Sequence, residues 1–230
     1  MKQIVTTGIV LTRTNFQEAE RIVTLITPDH GKVRVLAKGV RKSKSKLAGG
    51  IELFSISDVT FLSGRGELNT LISSRLQTHF GNIVKDITRT MLGYELLKRT
   101  NRLTEDAAGS EYFELLKTTL GGLNNLDLPG ELLELWFGMQ LLKITGHSPN
   151  LETDTEGDKL SVDQKYIFNF DSMAFTPNKE GQWGASFIKL LRLAERVRTP
   201  ELLLKVADAP IFTADAVQLV KDMEKIHLRA

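Results

Sequence analysis

The chain contains no cysteine in its 230 residues. Disulfide bonds and metal sites built on thiolates are therefore excluded. It also lacks any run of about 18 apolar residues, the length that a membrane-spanning helix needs. The apolar part of the N-terminal sequence, MKQIVTTGIVLTR, is short, interrupted by polar residues and without a small-residue cleavage site. This pattern predicts a strand rather than a signal peptide, and we expect a cytoplasmic protein.

Residue patterns that support catalysis or bind cofactors are scarce. The four histidines, at positions 30, 79, 147 and 227, are scattered singly. No GxxxxGK[ST] frame is present, which excludes a P-loop, and the glycine of the acidic run 154–158 is misplaced for an EF-hand. Glu131 and Glu134 fit the wet side of a helix better than an acid–base pair. The sequence predicts a protein with no enzymatic activity, no metal and no cofactor.

Positive charge is concentrated at residues 31–46, GKVRVLAKGVRKSKSK. The first half alternates apolar and basic residues, a two-residue period typical of a strand with one buried face. After Gly39 the run continues as a polar, basic loop. It contains no Asp or Glu and seven cations: Lys32, Arg34, Lys38, Arg41, Lys42, Lys44 and Lys46. Such a line of cations suits the backbone of a polyanion, although lysines also keep ordinary strand edges soluble.

The charge differs between the two parts of the chain. Residues 1–80 carry 12 Lys and Arg against 6 Asp and Glu, and the remainder carries 18 against 22. This asymmetry predicts one surface for a polyanion and another for proteins. The first part offers a second rank of cations: Arg13, Arg21, Arg65 and Arg75. Its aromatic residues are few, and a core would claim most of them, so we expect contact with a nucleic-acid backbone rather than base stacking.

The hydrophobic pattern predicts an α+β protein with two domains. Five β-rich runs in residues 1–80, with a longer loop between the third and the fourth, fit a small closed barrel. A five-stranded OB-fold barrel is the oligonucleotide-binding example, and an SH3-like barrel would have a similar pattern. From residue 82 the period becomes helical, which predicts an α-helical domain over residues 81–230. Its segment 147–184 is irregular, with a short hairpin.

Apolar residues recur at helical spacing in this part of the chain. Ile83, Ile87, Met91 and Tyr94 share one face of the first predicted helix. The stretch at residues 132–144 is apolar on most sides, which predicts a buried central helix.

The sequence resembles the N-terminal domain of the bacterial recombination mediator family RecO. The resemblance covers about 60 residues and rests on ordered motifs: E-A-E-R at 18–21, T-x-x-x-G-K at 27–32, A-K-G-x-R at 37–41, K-S-K-L at 44–47 and G-R-G-E-L at 64–68. A weaker likeness, ending in G-x-x-P-N-L, extends over residues 131–151. Many members of that family follow P-N-L with two cysteine pairs that bind zinc. Here Thr153 and Glu156 occupy the first pair, which implies a variant without zinc.

The resemblance implies an N-terminal OB-fold followed by a helical domain, and a mediator of DNA repair and recombination. Such a protein would bind single- and double-stranded DNA, anneal complementary strands and assist loading of the RecA recombinase. It would work with RecR on DNA coated by single-stranded DNA-binding protein, in the nucleoid. The seven cations of residues 31–46 would contact the DNA backbone, supported by the second rank. The helical domain would dock protein partners, with Leu202, Leu203 and Ile211 as candidate exposed apolar positions. Two alternatives stay open: an adaptor whose basic barrel binds an acidic partner tail, and an RNA-binding OB-fold protein.

Overall fold

The computed structural model describes residues 2–64, 66, 68–104 and 109–228. Within these residues, five strands are followed by three α-helices, three short strands and two more α-helices. The elements in order are β1 (Gln3–Phe16), β2 (Glu20–Thr27), β3 (Gly31–Ala37), β4 (Ser55–Leu62), β5 (Leu68–His79), α1 (Ile87–Leu103), α2 (Ser110–Asn124), α3 (Gly130–Ile144), β6 (Asn150–Asp154), β7 (Tyr166–Asn169), β8 (Ala174–Pro177), α4 (Ala185–Arg196) and α5 (Ala209–His227). No described helix has the length and apolar character required to span a bilayer.

The first five strands close into a barrel in the order β1-β2-β3-β5-β4, with β4 pairing back to β1. All neighbours are antiparallel except β3 and β5, which run parallel from Arg34 opposite Leu68 to Leu36 opposite Thr70. Closure in this order is that of the five-stranded OB-fold. The structure therefore confirms the α+β class and selects the OB-fold over the SH3-like alternative.

Alternation along β3 explains how the basic strand fits into the barrel. Val33, Val35 and Ala37 are buried, while the intervening Lys32 and Leu36 are half-buried and Arg34 is exposed. The inward residues join the barrel core formed by Val10, Val23, Leu25, Val33, Val35, Ala37, Val40, Ile51, Val59, Phe61 and Leu71. Burying one face of this strand is favourable because it removes apolar area from water. The same pairing forces its basic residues outward.

The face that α1 buries differs from the apolar stripe seen in the sequence. Gly93, Leu96 and Leu97 are buried; a Cβ added at Gly93 would lie 2.7 Å from Cε1 of Phe54. Ile87 and Met91, by contrast, are exposed over 74% and 66% of their surface. The helix packs on the side where glycine permits close approach, which no pattern of apolar residues could reveal. Of the four stripe positions, Ile83 is buried and lies before α1. Ile87, Met91 and the half-exposed Tyr94 form an exposed stripe on α1.

By packing, the chain divides into two compact units, Met1–Leu126 and Asp127–Ala230. The helices α1 and α2 belong to the first unit together with the barrel. The change from strands to helices falls near residue 80, as the pattern predicts. We keep residues 1–80 as our proposal for the limits of the DNA-binding module. The packing unit is larger than the barrel because α1 and α2 contact β1.

The second unit is built around α3, whose residues are buried on nearly all sides, in agreement with its apolar sequence. The indole Nε1 of Trp136 donates to the carbonyl of Val197 at 3.1 Å, and the amide of Gln140 donates to the carbonyl of Ala194 at 2.9 Å. These bonds join α3 to the C-terminal end of α4. Among the C-terminal candidates, Leu202 and Ile211 are exposed, whereas Leu203 is fully buried and cannot serve a partner.

The segment at residues 147–184 folds into a three-stranded sheet in the order β6-β8-β7. Only the β7–β8 hairpin was expected from the sequence. Tyr166 of β7 and Phe175 of β8 are both fully buried. The Tyr166 hydroxyl accepts a hydrogen bond from the backbone N–H of Ser161 at 2.8 Å. The side chain of Asp154 closes the turn by accepting from the N–H groups of Glu156 and Asp158. Packing and hydrogen bonds thus hold the described part of this segment.

Candidate nucleic-acid interface

The basic loop, defined here as residues 38–46, leaves the end of β3 as a series of turns. Gly39 adopts a positive φ of 65°, a conformation open to glycine at little cost. The turn is closed by the N–H of Lys42, which donates to the Gly39 carbonyl at 3.1 Å. Five basic side chains of the loop are exposed: Lys38, Arg41, Lys42, Lys44 and Lys46. The loop therefore displays five cations within nine residues.

Most of these cations are available to a ligand. Within the described part of the chain, the side chains of Lys38, Lys42, Lys44 and Lys46 make no ion pair or hydrogen bond. The guanidinium of Arg41 makes a long contact, 3.5 Å, with the carbonyl of Gln17. Because acidic residues are missing between positions 30 and 51, the loop contributes positive charge that no neighbour along the chain offsets.

Lys32 has a different position from the loop lysines. Its half-buried ammonium group donates to the carbonyls of Asn101, at 3.2 Å, and of Thr104. These are orphan carbonyls at the C-terminal end of α1, where a cation also meets the negative end of the helix dipole. The sequence predicts a DNA contact for Lys32, and we rank it below the loop lysines because its donors already bond the helix end.

Arg34 is exposed on the outer face of β3, next to the parallel pairing with β5. Its backbone carbonyl accepts a hydrogen bond from the amide of Asn69 at 3.2 Å. This bond joins β3 to the start of β5 next to the exposed side chain of Arg34. Because its side chain is exposed, Arg34 remains a candidate for contact with a phosphate.

The four second-rank arginines differ in how their side chains are engaged. Arg13 forms an ion pair with Glu52 at 2.6 Å and is mostly buried, and Arg21 donates to the side-chain oxygen of Asn15 at 3.1 Å. Arg75 is exposed on β5, opposite Asp58 in the strand register. Arg65 lies outside the described residues. Of these arginines, Arg75 best combines exposure with a place on the barrel surface.

The aromatic side chains behave as the sequence predicts. Phe54, Phe61 and Phe80 are buried, at 1%, 2% and 8% exposure, and Phe16 is partly exposed at 38%. Base stacking requires an aromatic ring with an open face. The described barrel thus offers cations for phosphates and little for bases.

One feature of the interface could not be found from the sequence. The hydroxyl of Ser74, on β5, donates to the carbonyl of Leu47 at 2.9 Å, immediately after the basic loop. Serine occurs too often in strands and loops for this position to stand out in a single chain. The bond depends on two segments that lie 27 residues apart in sequence.

The described residues contain no group of three or more His, Cys, Asp or Glu side chains placed to hold a metal ion. Thr153 and Glu156, at the positions of the family's first cysteine pair, lie in and just after β6. The Thr153 hydroxyl accepts a hydrogen bond from the Asn150 amide at 2.8 Å. The absence of zinc from this variant remains a prediction.

The barrel has counterparts among known proteins. Residues 1–80 match the family model described as "Recombination protein O N terminal". This match spans the whole barrel and the basic loop. The barrel and its basic loop are thus similar to the N-terminal domain of RecO proteins. The OB-fold and the helical second part of this chain are those that the RecO resemblance implied.

Similar RecO proteins come from distant bacteria, and each carries the name DNA repair protein RecO. The Dehalococcoides mccartyi protein (strain 195) is 34% identical over 147 residues, which cover 64% of this chain and 57% of the relative. The Streptomyces griseus protein is 35% identical over 155 residues, 63% and 62% of the two chains. The Syntrophus aciditrophicus protein is 32% identical over 167 residues, 71% and 64%. The aligned part thus spans less than two thirds of each of these RecO relatives.

Proposed function

We propose that this chain is a DNA-binding protein of repair and homologous recombination that anneals complementary strands. The observation that carries the proposal is the basic loop, with five exposed cations and no acidic residue between positions 30 and 51. The names of its RecO relatives, all DNA repair proteins, support the same role. Arg34 and Arg75 would extend the cationic surface along β3 and β5.

The physical basis of annealing is the repulsion between two phosphate backbones. A surface that neutralises phosphates with Lys and Arg releases condensed counterions and so gains affinity without reading the sequence. When such a surface binds two strands, it lowers the repulsion between them and lets base pairing proceed. No nucleotide hydrolysis is needed, which fits a chain that has no P-loop frame.

The family also suggests partners, which we propose for this chain. It would bind single- and double-stranded DNA, work with RecR on DNA covered by single-stranded DNA-binding protein, and act on RecA indirectly by preparing DNA for it. These steps form the RecFOR pathway, and they would place the chain in the cytoplasm at the nucleoid. No enzymatic step is proposed, because binding and charge neutralisation account for the whole activity.

Strand annealing tests the proposal directly. Two complementary labelled oligonucleotides, coated with single-stranded DNA-binding protein, are mixed with the full chain and no nucleotide. We expect wild type to anneal them, and the Lys38→Ala, Arg41→Ala, Lys42→Ala triple variant to lose most of the rate because three phosphate contacts are removed.

The matched control is the triple variant Lys85→Ala, Lys98→Ala, Lys117→Ala. It removes the same charge from exposed positions at or near the helices of the same unit. Retained annealing in this variant would show that the position of the charge matters, and not net charge alone. Failure of folded wild type to anneal would contradict the proposal.

An adaptor role is the second candidate, and the exposed stripe on α1 favours it. Ile87 and Met91 form apolar surface of the kind found at protein interfaces. Reversing Lys38 and Arg41 to Glu separates the two roles. The adaptor role predicts that an acidic partner is lost while DNA binding is largely kept; our proposal predicts loss of DNA. The third possibility, an RNA-binding protein, predicts equal or tighter binding of RNA than of DNA of matched sequence.

A further inference from the structure

The basic loop is attached to the barrel at both ends. Near its start, the backbone N–H of Arg41 donates to the carbonyl of Ala19 at 3.1 Å, in the turn between β1 and β2. Just beyond its end, the hydroxyl of Ser74 donates to the carbonyl of Leu47 at 2.9 Å. These two bonds attach the backbone of the segment to two different parts of the barrel, the β1–β2 turn and strand β5.

The contact at Ser74 is close. A Cβ added to Gly50 would lie 2.5 Å from Oγ of Ser74 and 2.7 Å from its carbonyl carbon, so only glycine lets this chain segment pass. Ser74 itself is half-buried. The side chain therefore acts as a fixed point between the segment that ends the basic loop and strand β5.

The neighbours of the bonded residues are cations. Lys46 directly precedes Leu47, and Arg75 directly follows Ser74; both are exposed. The hydrogen bond from Ser74 thus holds the loop end that carries Lys46 on strand β5.

We infer that Ser74 is a positioning residue for DNA binding: it fixes the basic loop on β5 while touching no DNA itself. The inference rests on the proposed function. A loop that is ordered before binding loses less conformational entropy on binding, and so binds more tightly with the same contacts. The cations would provide the affinity, and Ser74 would keep the loop that carries them in one position on β5.

The test compares Ser74→Ala with Ser73→Ala in the full chain. Ser73 is the exposed neighbour on the same strand, so its variant controls for loss of a hydroxyl from β5. Binding of a single-stranded oligonucleotide is measured by fluorescence anisotropy at several salt concentrations. We expect Ser74→Ala to bind about three- to tenfold more weakly, the effect of one lost hydrogen bond, and Ser73→Ala to bind as wild type.

The slope of log K against log salt distinguishes positioning from direct contact. It counts neutralised phosphates, so we expect it to be unchanged in Ser74→Ala and reduced in Lys46→Ala. Titration at high protein concentration gives the active fraction, which a merely unfolded variant would lower. Gly50→Ala approaches the same contact from the other side and should weaken binding similarly. Wild-type affinity in Ser74→Ala, or a reduced slope, would overturn the inference.

A second measurement needs no DNA. Trypsin cleaves after lysine, and we expect cleavage after Lys42, Lys44 and Lys46 to be faster in Ser74→Ala than in Ser73→Ala, because the loop end is released. Equal rates in the two variants would overturn the inference. Faster cleavage in a chain whose wild type binds no DNA would overturn the proposed function and leave the attachment role of Ser74 supported.

Discussion

At the scale of single residues, two lysines six positions apart have different surroundings. Lys38 is exposed, whereas the ammonium of Lys32 donates to carbonyls at the end of α1. Both belong to the same basic run, and both were predicted to contact DNA. Their sequence context is too similar to separate them, because the helix end that occupies Lys32 lies about 70 residues further along the chain.

Substitution of Lys32 by Ala is expected to reduce stability. Hydrogen bonds to charged groups contribute about 1.5–3 kcal/mol each, and partial exposure screens the charge, so we expect a loss of about 1–3 kcal/mol in the free energy of unfolding. Urea unfolding followed by circular dichroism measures it. Lys38→Ala is the matched control and should unfold like wild type. If the two variants unfolded at the same urea concentration, the helix-capping role of Lys32 would be wrong.

At the scale of elements, the sequence predicted the five-stranded barrel and the buried α3, but it did not show which face α1 buries. A strand of alternating apolar and polar residues has only two faces, so Val33 and Val35 settle which one is buried. A helix can turn to present several faces. In α1, Gly93 determines which face is buried, because its missing side chain allows the helix backbone to approach Phe54.

The exposed stripe of α1 gives a prediction at this scale. Replacing Ile87 and Met91 together by Gln should change the free energy of unfolding by no more than about 1 kcal/mol, since exposed substitutions are usually within about 0.5 kcal/mol each. Leu97→Ala, on the buried face, should lower it by about 2–5 kcal/mol. Urea unfolding of the two variants decides between them. A large loss in the Gln variant would place the stripe in a core.

At the scale of the whole molecule, positive charge is gathered in the first third of the chain and presented by one loop of the barrel. Net charge over the full sequence is only +2, which by itself predicts little affinity for nucleic acid. What matters is that the five loop cations are exposed together while Arg13 is paired with Glu52. The distribution, and not the total, supports the proposed function.

Salt dependence tests this distribution. If each of the five loop cations neutralises one phosphate of single-stranded DNA, the slope of log K against log salt should be about −3.5. Anisotropy titrations at several salt concentrations measure it, and removal of Lys44 should reduce its size by about 0.7. Arg13→Ala should leave the slope unchanged because its charge is already paired. Binding that does not respond to salt would refute the electrostatic account.

The sequence by itself determined the barrel, the helical second part, the basic run and the resemblance to RecO proteins. Each depends on local periodicity or on a short ordered motif, and such signals survive in one chain without any neighbours. Tertiary structure alone decided which cations stay free, which face of α1 is buried and how the basic loop is attached. These outcomes depend on pairs such as Lys32 with Thr104 and Leu47 with Ser74. Contacts between residues distant in sequence form only when the chain has folded.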